Sequence, residues 1–384
     1  MCESMGLFFT KDEDAIVAVL DINSGSVGGA IVLKNKNSLP LIVATSRRNY
    51  KLVSTPDGAR LAREMLETLD LVCQDLQQKT GKRPEKVYCV MSTPWSHGEL
   101  RSIKYEKSQE FQFTEAFAQK LIKKEIENFV IENAGLRHVM DKRITKVSLN
   151  GYVVDSPHGQ SARTLTLDVF LSLSSQNIIT DIEDRIHKTW KSRIAFTSQI
   201  FGDFMLVRDI FDAKNDFVII NIGAEITEVL LMKHDHLEGT AFFPYGTRNI
   251  IRAISVQLNK NVYETMSLFS LYGEDLLSPD SSTFIRAAVE SAGDIWCSEL
   301  RKLLADMSTS RHIPQSVFLI APESMEAWIR SMITPKFFPE FTTAGREFSV
   351  IIPNREMLYN FCHYSDMADR DVPLSMKTIF INRV

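Results

Sequence analysis

Two short stretches of the chain place small and polar residues directly after apolar runs. In the first, LDINSGSVGGAIV, Asp21 ends an apolar run and is followed by Asn23, Ser24, Gly25 and Ser26. The backbone N–H groups of such a turn can approach a phosphate closely, because glycine has no Cβ in the way. A carboxylate at the end of the strand would bind Mg²⁺, usually through water. The first stretch therefore predicts a phosphate-binding turn with Asp21 as its metal carboxylate.

The second stretch, VIINIGAEITEVLLM, has the same outline but a different pattern of charge. Asn221 stands where a second carboxylate would be useful, and the turn continues with Gly223, Ala224 and the negative Glu225. A carboxylate repels phosphate unless a metal lies between them. Thr227 could contact phosphate, although a β-branched residue in an ordinary strand is the simpler interpretation. The second stretch predicts a poorer phosphate site than the first.

Both turns also have a purely structural interpretation. Asp21 could be an ordinary turn residue, and Gly25 and Gly223 could be hairpin glycines with positive φ. However, the order strand, turn, strand, third strand and helices occurs from about residue 16 and again from about residue 218, so Asp21 and Asn221 hold matching positions. An internal repeat of this kind predicts two copies of one α/β unit facing each other across a cleft.

The elements that position these turns are predicted from the spacing of apolar residues. Strands are expected as three short runs within 16–50, at 86–93, in ITKVSLNGYVVD, in ARTLTLDVFLSLS, around 218–232, in IPQSVFLIAPES and in FSVIIP. Helices are expected at 57–80, about 114–132, 178–189, 284–307, just after Gly246, in NVYETMSLFSLYG and in MEAWIRSMI. Thr114 is the expected N-cap of the second helix. The tail PLSMKTIFINRV is short and mixed, with too weak an amphipathic pattern for stable membrane anchoring.

Composition excludes several classes of protein. The chain has 384 residues, 44% of them hydrophobic and 24% charged, with a formal net charge of −4. This balance argues against a nucleic-acid-binding protein and against a disordered chain. No apolar run approaches the roughly 20 residues needed to span a bilayer, and the N-terminus does not have the pattern of a secretory signal. The cysteines have no paired spacing, which predicts reduced thiols in a cytosolic protein without a zinc site. They are Cys2, Cys73, Cys89, Cys297 and Cys362.

Several other motifs that could suggest catalysis or metal binding have simpler structural interpretations. The histidines within 234–236 suggest a polar hairpin turn rather than a metal site. The Ser–His pair at 96–97 is not accompanied by an acidic residue in a recognisable motif, so a serine hydrolase is not expected. The Gly–Lys pair at 81–82 is not a P-loop, because the upstream glycine and the following Ser or Thr are missing. The basic pairs at 47–48 and 123–124 are interpreted as solvated faces.

In order and spacing, the segments resemble the actin-like ATPase superfamily, and most of all its branch with the division protein FtsA and the pilus assembly protein PilM. LDINSGSVGGAIV resembles the first phosphate motif of the family, INIGAEITEV the second, and AFFPYGTRNIIRAIS the turn that opens the following helix. VFLIAPES resembles the adenosine motif. VYCVMST, VSLNGYVVDSP and LTLDVFLS resemble the inserted subdomain of this branch. The resemblance covers about residues 15–350, and no single motif is specific.

The resemblance implies a nucleotide site with ATP and Mg²⁺, with roles for each matching position. Asp21, Asn23, Ser24, Gly25 and Ser26 would form the first phosphate site, with Asp21 binding Mg²⁺ through water. Asn221, Gly223, Ala224, Glu225 and Thr227 would form the second, and Gly246 and Thr247 the helix-opening turn. The adenosine side would be formed by Met266, Phe269, Ala321, Pro322 and Glu323.

This chain departs from the family pattern at most of these sites. Asn221 replaces the Asp of the second motif, Ala321 and Pro322 replace paired glycines, and Met266 and Phe269 fall where the family has Glu and Lys. Losing a metal carboxylate should slow hydrolysis, and losing the adenine contacts should weaken binding. One alternative is therefore a pseudo-ATPase that binds no nucleotide, with Met266, Phe269 and Glu225 filling the cleft.

The expected fold is α/β, an actin-like (ribonuclease H-like) two-lobed fold with a small inserted α+β subdomain. The expected divisions are 1–100 for the first part of the first lobe, 101–177 for the insertion, 178–217 for the return to the first lobe, 218–350 for the second lobe, and 351–384 for a C-terminal strand and tail.

The resemblance implies an actin-like cytoskeletal or scaffold protein in cell division or type IV pilus assembly, at the cytoplasmic face of the inner membrane. Its expected partners are a peptide or cytoplasmic tail of a membrane protein, or a tubulin-like division protein. Attachment to the membrane would be through a partner, and head-to-tail self-assembly into filaments is a further expectation. The alternative is an active ATPase or a sugar-kinase-like phosphotransferase. No Asp lies in a recognisable motif for the base that a kinase needs, and Asp203 and Asp209, just before the second hairpin, are the candidates left open.

Overall fold

The computed structural model describes residues 15–34, 38–55, 57–210, 216–308, 313–333, 341 and 348–384. Cys2 lies outside these residues, and the other four cysteines are buried. Within the described part of the chain, no helix is both long enough and apolar enough to cross a membrane.

The sheet of the first lobe is built around the first hairpin. In spatial order its strands are β15 (His363–Tyr364), β3 (Leu41–Asn49), β2 (Ser26–Lys34), β1 (Ala15–Ile22), β4 (Lys86–Met91) and β9 (Arg193–Ser198). The first hairpin is antiparallel, and β4 and β9 continue the sheet in parallel with β1. The carboxyl ends of these parallel strands meet at one edge, where Asp21 lies.

One face of this sheet is covered by α1 (Gly58–Thr80) and α3 (Gln176–Thr189). Helix α1 buries Met65, Leu69, Val72 and Leu76, whose spacing places them on one face. Asp57 caps its N-terminus by accepting hydrogen bonds from two backbone amides, and Gly81 ends it with a positive φ of 61°. These caps explain why the expected boundaries at 57–80 agree closely with the structure.

The sheet of the second lobe repeats the arrangement. Its strands, in spatial order, are β12 (His236–Phe243), β11 (Thr227–Lys233), β10 (Phe217–Ile222), β13 (Ser316–Ile320) and β14 (Ser349–Ile351). Four helices pack against one face: α5 (Thr247–Leu258), α6 (Val262–Gly273), α7 (Pro279–Ser308) and α8 (Glu323–Ile333). The second hairpin thus holds the same position in its lobe as the first hairpin holds in the other.

A third, four-stranded sheet is inserted between β4 and α3. Its strands run in the order β5 (His97–Gln112), β8 (Ser161–Ser175), β6 (Leu136–Leu149) and β7 (Tyr152–Val153), and α2 (Glu115–Glu132) packs on one face. Thr114 caps α2, as its sequence predicts, by accepting a hydrogen bond from the Phe117 amide. Lys146 forms a 2.9 Å ion pair with Glu238, which connects this sheet to the second lobe.

Two helices form a layer between the two lobe sheets. They are α4 (Gln199–Ile210) and α10 (Val372–Arg383), which follows the short α9 (Arg355–Leu358). Their apolar side chains share one buried cluster with Val17 and Val19 of the first lobe and with Ile219 of the second.

The expectation of a mixed tail is wrong, because PLSMKTIFINRV forms most of the buried helix α10. Its start has recognisable signals, with Asp371 as N-cap and Pro373 in the first turn. Its interior lacks the one-sided apolar pattern of a surface helix because neighbours cover it on both sides. A helix buried in this way cannot be recognised from amphipathic periodicity.

Candidate functional site

A cavity of about 1360 Å³ lies between the lobes, at the ends of the parallel strands. Its wall includes thirteen of the residues predicted from sequence: Asp21, Asn23, Gly25, Ser26, Asn221, Gly223, Ala224, Thr247, Met266, Phe269, Ala321, Pro322 and Glu323. Four others, Ser24, Glu225, Thr227 and Gly246, do not line it. The structure thus brings both turns and the adenosine-side residues to one cleft.

The first turn uses its own amides internally. The Asn23 side-chain oxygen accepts hydrogen bonds from the backbone N–H groups of Gly25, at 2.9 Å, and Ser26, at 2.8 Å. The Asn23 carbonyl accepts further bonds from the Tyr50 hydroxyl and the Trp95 indole. These contacts hold the turn in one shape. They also occupy two of the donors that a phosphate would need.

The second turn and the start of α5 are closed in a similar way. The Gly223 amide donates to the Ile226 carbonyl at 2.9 Å. At the start of α5, the amides of Thr247 and Arg248 donate to the carbonyls of Gly223 and Ala224, at 3.0 and 2.8 Å. A free helix N-terminus attracts anions because its first amides point outward. Here two of those amides are already bonded to the turn.

The two turns also contact each other directly. The Glu225 amide donates to the Ser24 hydroxyl at 3.1 Å, which explains why neither residue lines the cavity. A Cβ added to Gly25 would overlap the Ala224 side chain. Gly25 is therefore required here for the close approach of the two lobes. The two turns are therefore in direct contact at this point.

Asp21 is completely buried and already has positive partners. The Arg47 guanidinium donates to one carboxylate oxygen at 2.7 Å, and the Lys377 ammonium lies 3.5 Å from the other. Arg47 also pairs with Asp371, just before α10. Burial by itself would raise the pKa of Asp21, but the charges of Lys377 and Arg47 outweigh it and hold the pKa below its ordinary value.

The interpretation of residues 47–48 as a solvated face is wrong for Arg47, while Arg48 is exposed. Arg47 pairs across the strands with Gly28, and a Cβ at Gly28 would lie 2.7 Å from the guanidinium carbon. A glycine on the neighbouring strand is therefore the sequence signal that could have identified this half-buried arginine. The positions of Lys377 and Asp371 have no comparable local signal.

Glu225 is likewise paired within the protein. Its carboxylate bonds Arg252, which also donates to the Val53 carbonyl of the first lobe at 3.3 Å. Arg248 donates to the carbonyls of Gly25, at 3.1 Å, and Tyr50, at 2.6 Å. These two arginines on α5 tie the second lobe to the first turn. Sequence reasoning identified Glu225 but neither arginine.

Two further carboxylates lie buried beside Asp21. Glu228 accepts a 2.6 Å hydrogen bond from the Thr93 hydroxyl and lines the cavity. Burial raises its pKa to about 7, and the Asp203 charge adds to the effect although the Thr93 bond opposes it. Burial likewise raises the pKa of Asp203 to about 6, against the opposing charge of Lys377. Either group could exchange a proton near neutral pH.

The remaining predicted residues have structural contacts. Thr227 is fully buried, donates to the Tyr245 carbonyl at 2.7 Å and accepts from the Trp296 indole at 3.0 Å. Asp209, proposed with Asp203 as a kinase base, pairs with Arg208 at 2.7 Å and does not line the cavity. Neither Thr227 nor Asp209 is placed to act on a group in the cleft.

The adenosine side of the cleft is open. Phe269 is buried and packs edge-on against Trp328, whereas Met266 is 47% exposed on the cavity wall. Glu323 is exposed and lies 3.4 Å from Arg355. Because a cavity remains beside them, Met266 and Phe269 do not fill the cleft.

His234 and Asp235 form the turn between β11 and β12, and both have positive φ. Over the described ranges of the chain, no group of three or more His, Cys, Asp or Glu side chains is placed to hold a metal ion.

Structural comparison gives the fold. No family model and no curated protein matches the chain. A solved PilM-PilN type IV pilus biogenesis complex has a TM-score of 0.64, covering 96% of this chain and 98% of that chain at 14% identity. The fold is that of the actin-like ATPases. The two-lobed prediction with an inserted subdomain is therefore confirmed.

Two other solved structures match with lower TM-scores. The ethanolamine utilization protein EutJ from Carboxydothermus hydrogenoformans has a TM-score of 0.43 at 9% identity, covering 95% of this chain and 88% of that chain. A Bacteroides thetaiotaomicron protein with actin-like ATPase fold and unknown function has a TM-score of 0.37 at 6% identity, with 97% and 99% covered. The fold assignment rests on the first neighbour.

Actin-like ATPases bind a nucleotide with Mg²⁺, so the residues of this cleft can be tested against that group. Asp21, the carboxylate expected to bind the metal, is neutralised by Arg47 and Lys377, and amides in both turns are bonded within the protein. The phosphate end of the cleft therefore does not fit Mg-ATP, and no phosphoryl-transfer step follows from this arrangement.

Proposed function

We propose that this chain is an actin-like scaffold protein that keeps its two-lobed conformation without nucleotide and binds a cytoplasmic segment of a membrane protein. The observation that carries the proposal is the closed phosphate end, where Asp21 is paired with Arg47 and Lys377 and the two turns touch. In the proposed scaffold, Arg47 and Lys377 occupy the position beside Asp21 at which an actin-like ATPase would need its metal.

The energetics favour the internal pair over a nucleotide. A metal could reach Asp21 only if Arg47 and Lys377 moved away from it. Breaking a buried ion pair typically costs about 3–5 kcal/mol, and each 1.4 kcal/mol is about a factor of ten in affinity. Mg-ATP would therefore bind at least about a hundredfold more weakly than at a site with a free carboxylate.

The proposed partner follows from the sequence resemblance and from the PilM-PilN complex, whose PilM fold this chain shares along nearly its whole length. We place the protein at the cytoplasmic face of the inner membrane, held there by its partner. Type IV pilus assembly is the process that this neighbour supports.

Thermal unfolding with Mg²⁺ alone and with millimolar Mg-ATP tests the nucleotide part. A ligand present at about 100 times its Kd stabilises a protein by about 2.7 kcal/mol, which is a few degrees for a chain of this size. We expect no shift. A clear shift that Asp21→Ala removes, or steady phosphate release that the same variant abolishes, would contradict the proposal.

Co-sedimentation tests the membrane part. The chain is expected to sediment with inverted inner-membrane vesicles of its own host and not with protein-free vesicles of the same lipids. Protease treatment of the inverted vesicles should abolish the binding. Equal binding to the protein-free vesicles would show that attachment does not require a protein partner.

A further inference from the structure

The outer half of the cleft has a different character from its closed phosphate end. Here the cavity runs between α6 and the segments that follow β13 and β14, and its wall includes Tyr263, Met266, Ile320, Pro322 and Pro353. Tyr263 is 51% exposed and Met266 is 47% exposed. Large side chains exposed together at a cavity mouth are typical of binding surfaces. This half of the cleft therefore offers apolar contact area.

Acidic side chains border the same half of the cleft. Glu323 and Glu326 lie in the first turn of α8 and Glu356 lies in α9, all on the cavity wall. Burial and then the neighbouring Glu323 charge raise the pKa of Glu326. Glu323 lies 3.4 Å from the exposed Arg355, whereas no ion pair within the described ranges involves Glu326 or Glu356. A cation entering here would relieve the repulsion between Glu323 and Glu326.

The helix dipole by itself explains only part of this pattern. Acidic residues at a helix N-terminus are stabilising, which accounts for Glu323 and Glu326 at the start of α8. It does not account for the exposed Tyr263 and Met266 on the opposite wall. Of the basic side chains on the cavity wall, Arg47 and Lys377 pair with Asp21, and Arg355 lies 3.4 Å from Glu323.

We propose that the outer half of the cleft binds a peptide segment in which lysine or arginine alternates with apolar residues, as on the cytoplasmic side of a membrane-spanning helix. The basic side chains of such a segment would lie against Glu323, Glu326 and Glu356, and its apolar side chains against Tyr263 and Met266. Cytoplasmic segments next to membrane helices are enriched in lysine and arginine. The inference rests on the proposed scaffold function, for which it names the partner's chemistry.

Charge favours a peptide over a nucleotide in this half. A nucleotide would bring its negative phosphates into a cleft whose outer border is acidic and whose phosphate turns are closed.

The test uses a fluorescein-labelled synthetic peptide of alternating lysine and leucine with one phenylalanine, followed by fluorescence anisotropy at low salt. A matched peptide with glutamate in place of every lysine is the charge control. We expect the lysine peptide to bind, with an affinity that falls as salt screens the contacts, and the glutamate peptide not to bind.

Two variants locate the site. Glu323→Lys combined with Glu326→Lys should weaken binding by about tenfold or more, because two attractive charges become repulsive. Glu127→Lys combined with Glu290→Lys makes the same change in net charge on exposed helix positions away from the cleft and should change binding by less than about twofold. Met266→Lys should also weaken binding. Equal losses in the control and test variants would overturn the proposal.

Adding Mg-ATP to the same assay separates the two proposals. If Mg-ATP raises the unfolding temperature, the scaffold function without nucleotide is wrong, and displacement of the peptide by Mg-ATP would still support a peptide site in the cleft. If neither the lysine peptide nor Mg-ATP binds at millimolar concentration, only the inference about the cleft is overturned.

Discussion

The two hairpin turns have the same backbone arrangement, but their carboxylates lie at different positions and pair with different cations. The first ends its strand with a buried carboxylate, Asp21, and neutralises it with Arg47 and Lys377 from distant parts of the chain. The second ends its strand with the neutral Asn221 and carries its carboxylate in the turn, where Glu225 pairs with Arg252 on the following helix. The two copies of the repeated unit thus share their backbone geometry but differ in where their charged side chains lie.

This comparison predicts that the first turn depends more strongly on its arginine than the second. Arg47→Ala should lower the free energy of unfolding by about 3–5 kcal/mol, because the fully buried Asp21 loses its closest positive partner. Urea denaturation would measure the change. Arg48→Ala, at an exposed neighbouring position, should change stability by no more than about 0.5 kcal/mol. Similar losses for both variants would contradict the burial argument.

The buried Glu228 predicts that stability depends on pH. Its pKa of about 7 in the folded protein lies above the ordinary 4.5, so the folded state binds more protons and stability falls as pH rises between these values. Its surroundings include Thr93, Asp203 and Lys377, and Asp203 contributes in the same direction.

Glu228→Gln should remove about 2.5 kcal/mol of that loss between pH 5 and pH 8. Unfolding measured at both pH values would show it as a smaller fall in stability than in the unmodified chain. Glu127→Gln at an exposed site should keep the original slope. An unchanged slope in Glu228→Gln would mean that Glu228 is ionised in the folded protein throughout this range.

Arg252→Ala should cost less than Arg47→Ala, about 2 kcal/mol, through the loss of a charged hydrogen bond to Glu225. Glu225 is 13% exposed whereas Asp21 is 1% exposed, so water can replace more of the lost interaction in the second turn. The two variants should be compared by denaturation under the same conditions. A larger loss for Arg252→Ala would reverse the proposed order of the two turns.

The smallest expected change in stability comes from a substitution at the contact between the two turns. Gly25→Ala should destabilise by about 1–2 kcal/mol, because the new methyl group would overlap Ala224. Adding Ala224→Gly to the same chain should restore most of the loss, since it removes the opposing methyl group. A double-mutant cycle would measure the coupling. Simple additivity would show that the turns are not in contact in solution.

Much of the fold was predictable because its signals are local. The two glycine turns, the capped helix α1 and the start of α5 after Gly246 can all be recognised within a few residues of sequence. The position of Asp21 at a strand end follows from the same signals. Within the site, the sequence therefore identified both turns and the neutral Asn221 at the position that matches Asp21.

The parts that could not be predicted depend on long-range contacts. Arg47 and Asp371 are 324 positions apart, and Lys377 reaches Asp21 only because α10 packs between the two sheets. No local pattern links these residues, and α10 itself lacks the periodicity of a surface helix. The pairing of Asp21 with Arg47 and Lys377 can be seen only when the helices are in place.

The position of α10 also has a consequence for the order of folding. The strand β15 and the helix α10 complete the first lobe, yet both follow the whole second lobe in the chain. During synthesis from the N-terminus, the first hairpin would have its buried carboxylate long before Lys377 is available. The first lobe therefore cannot fold completely ahead of the second, and the two lobes should reach their native packing in one late step.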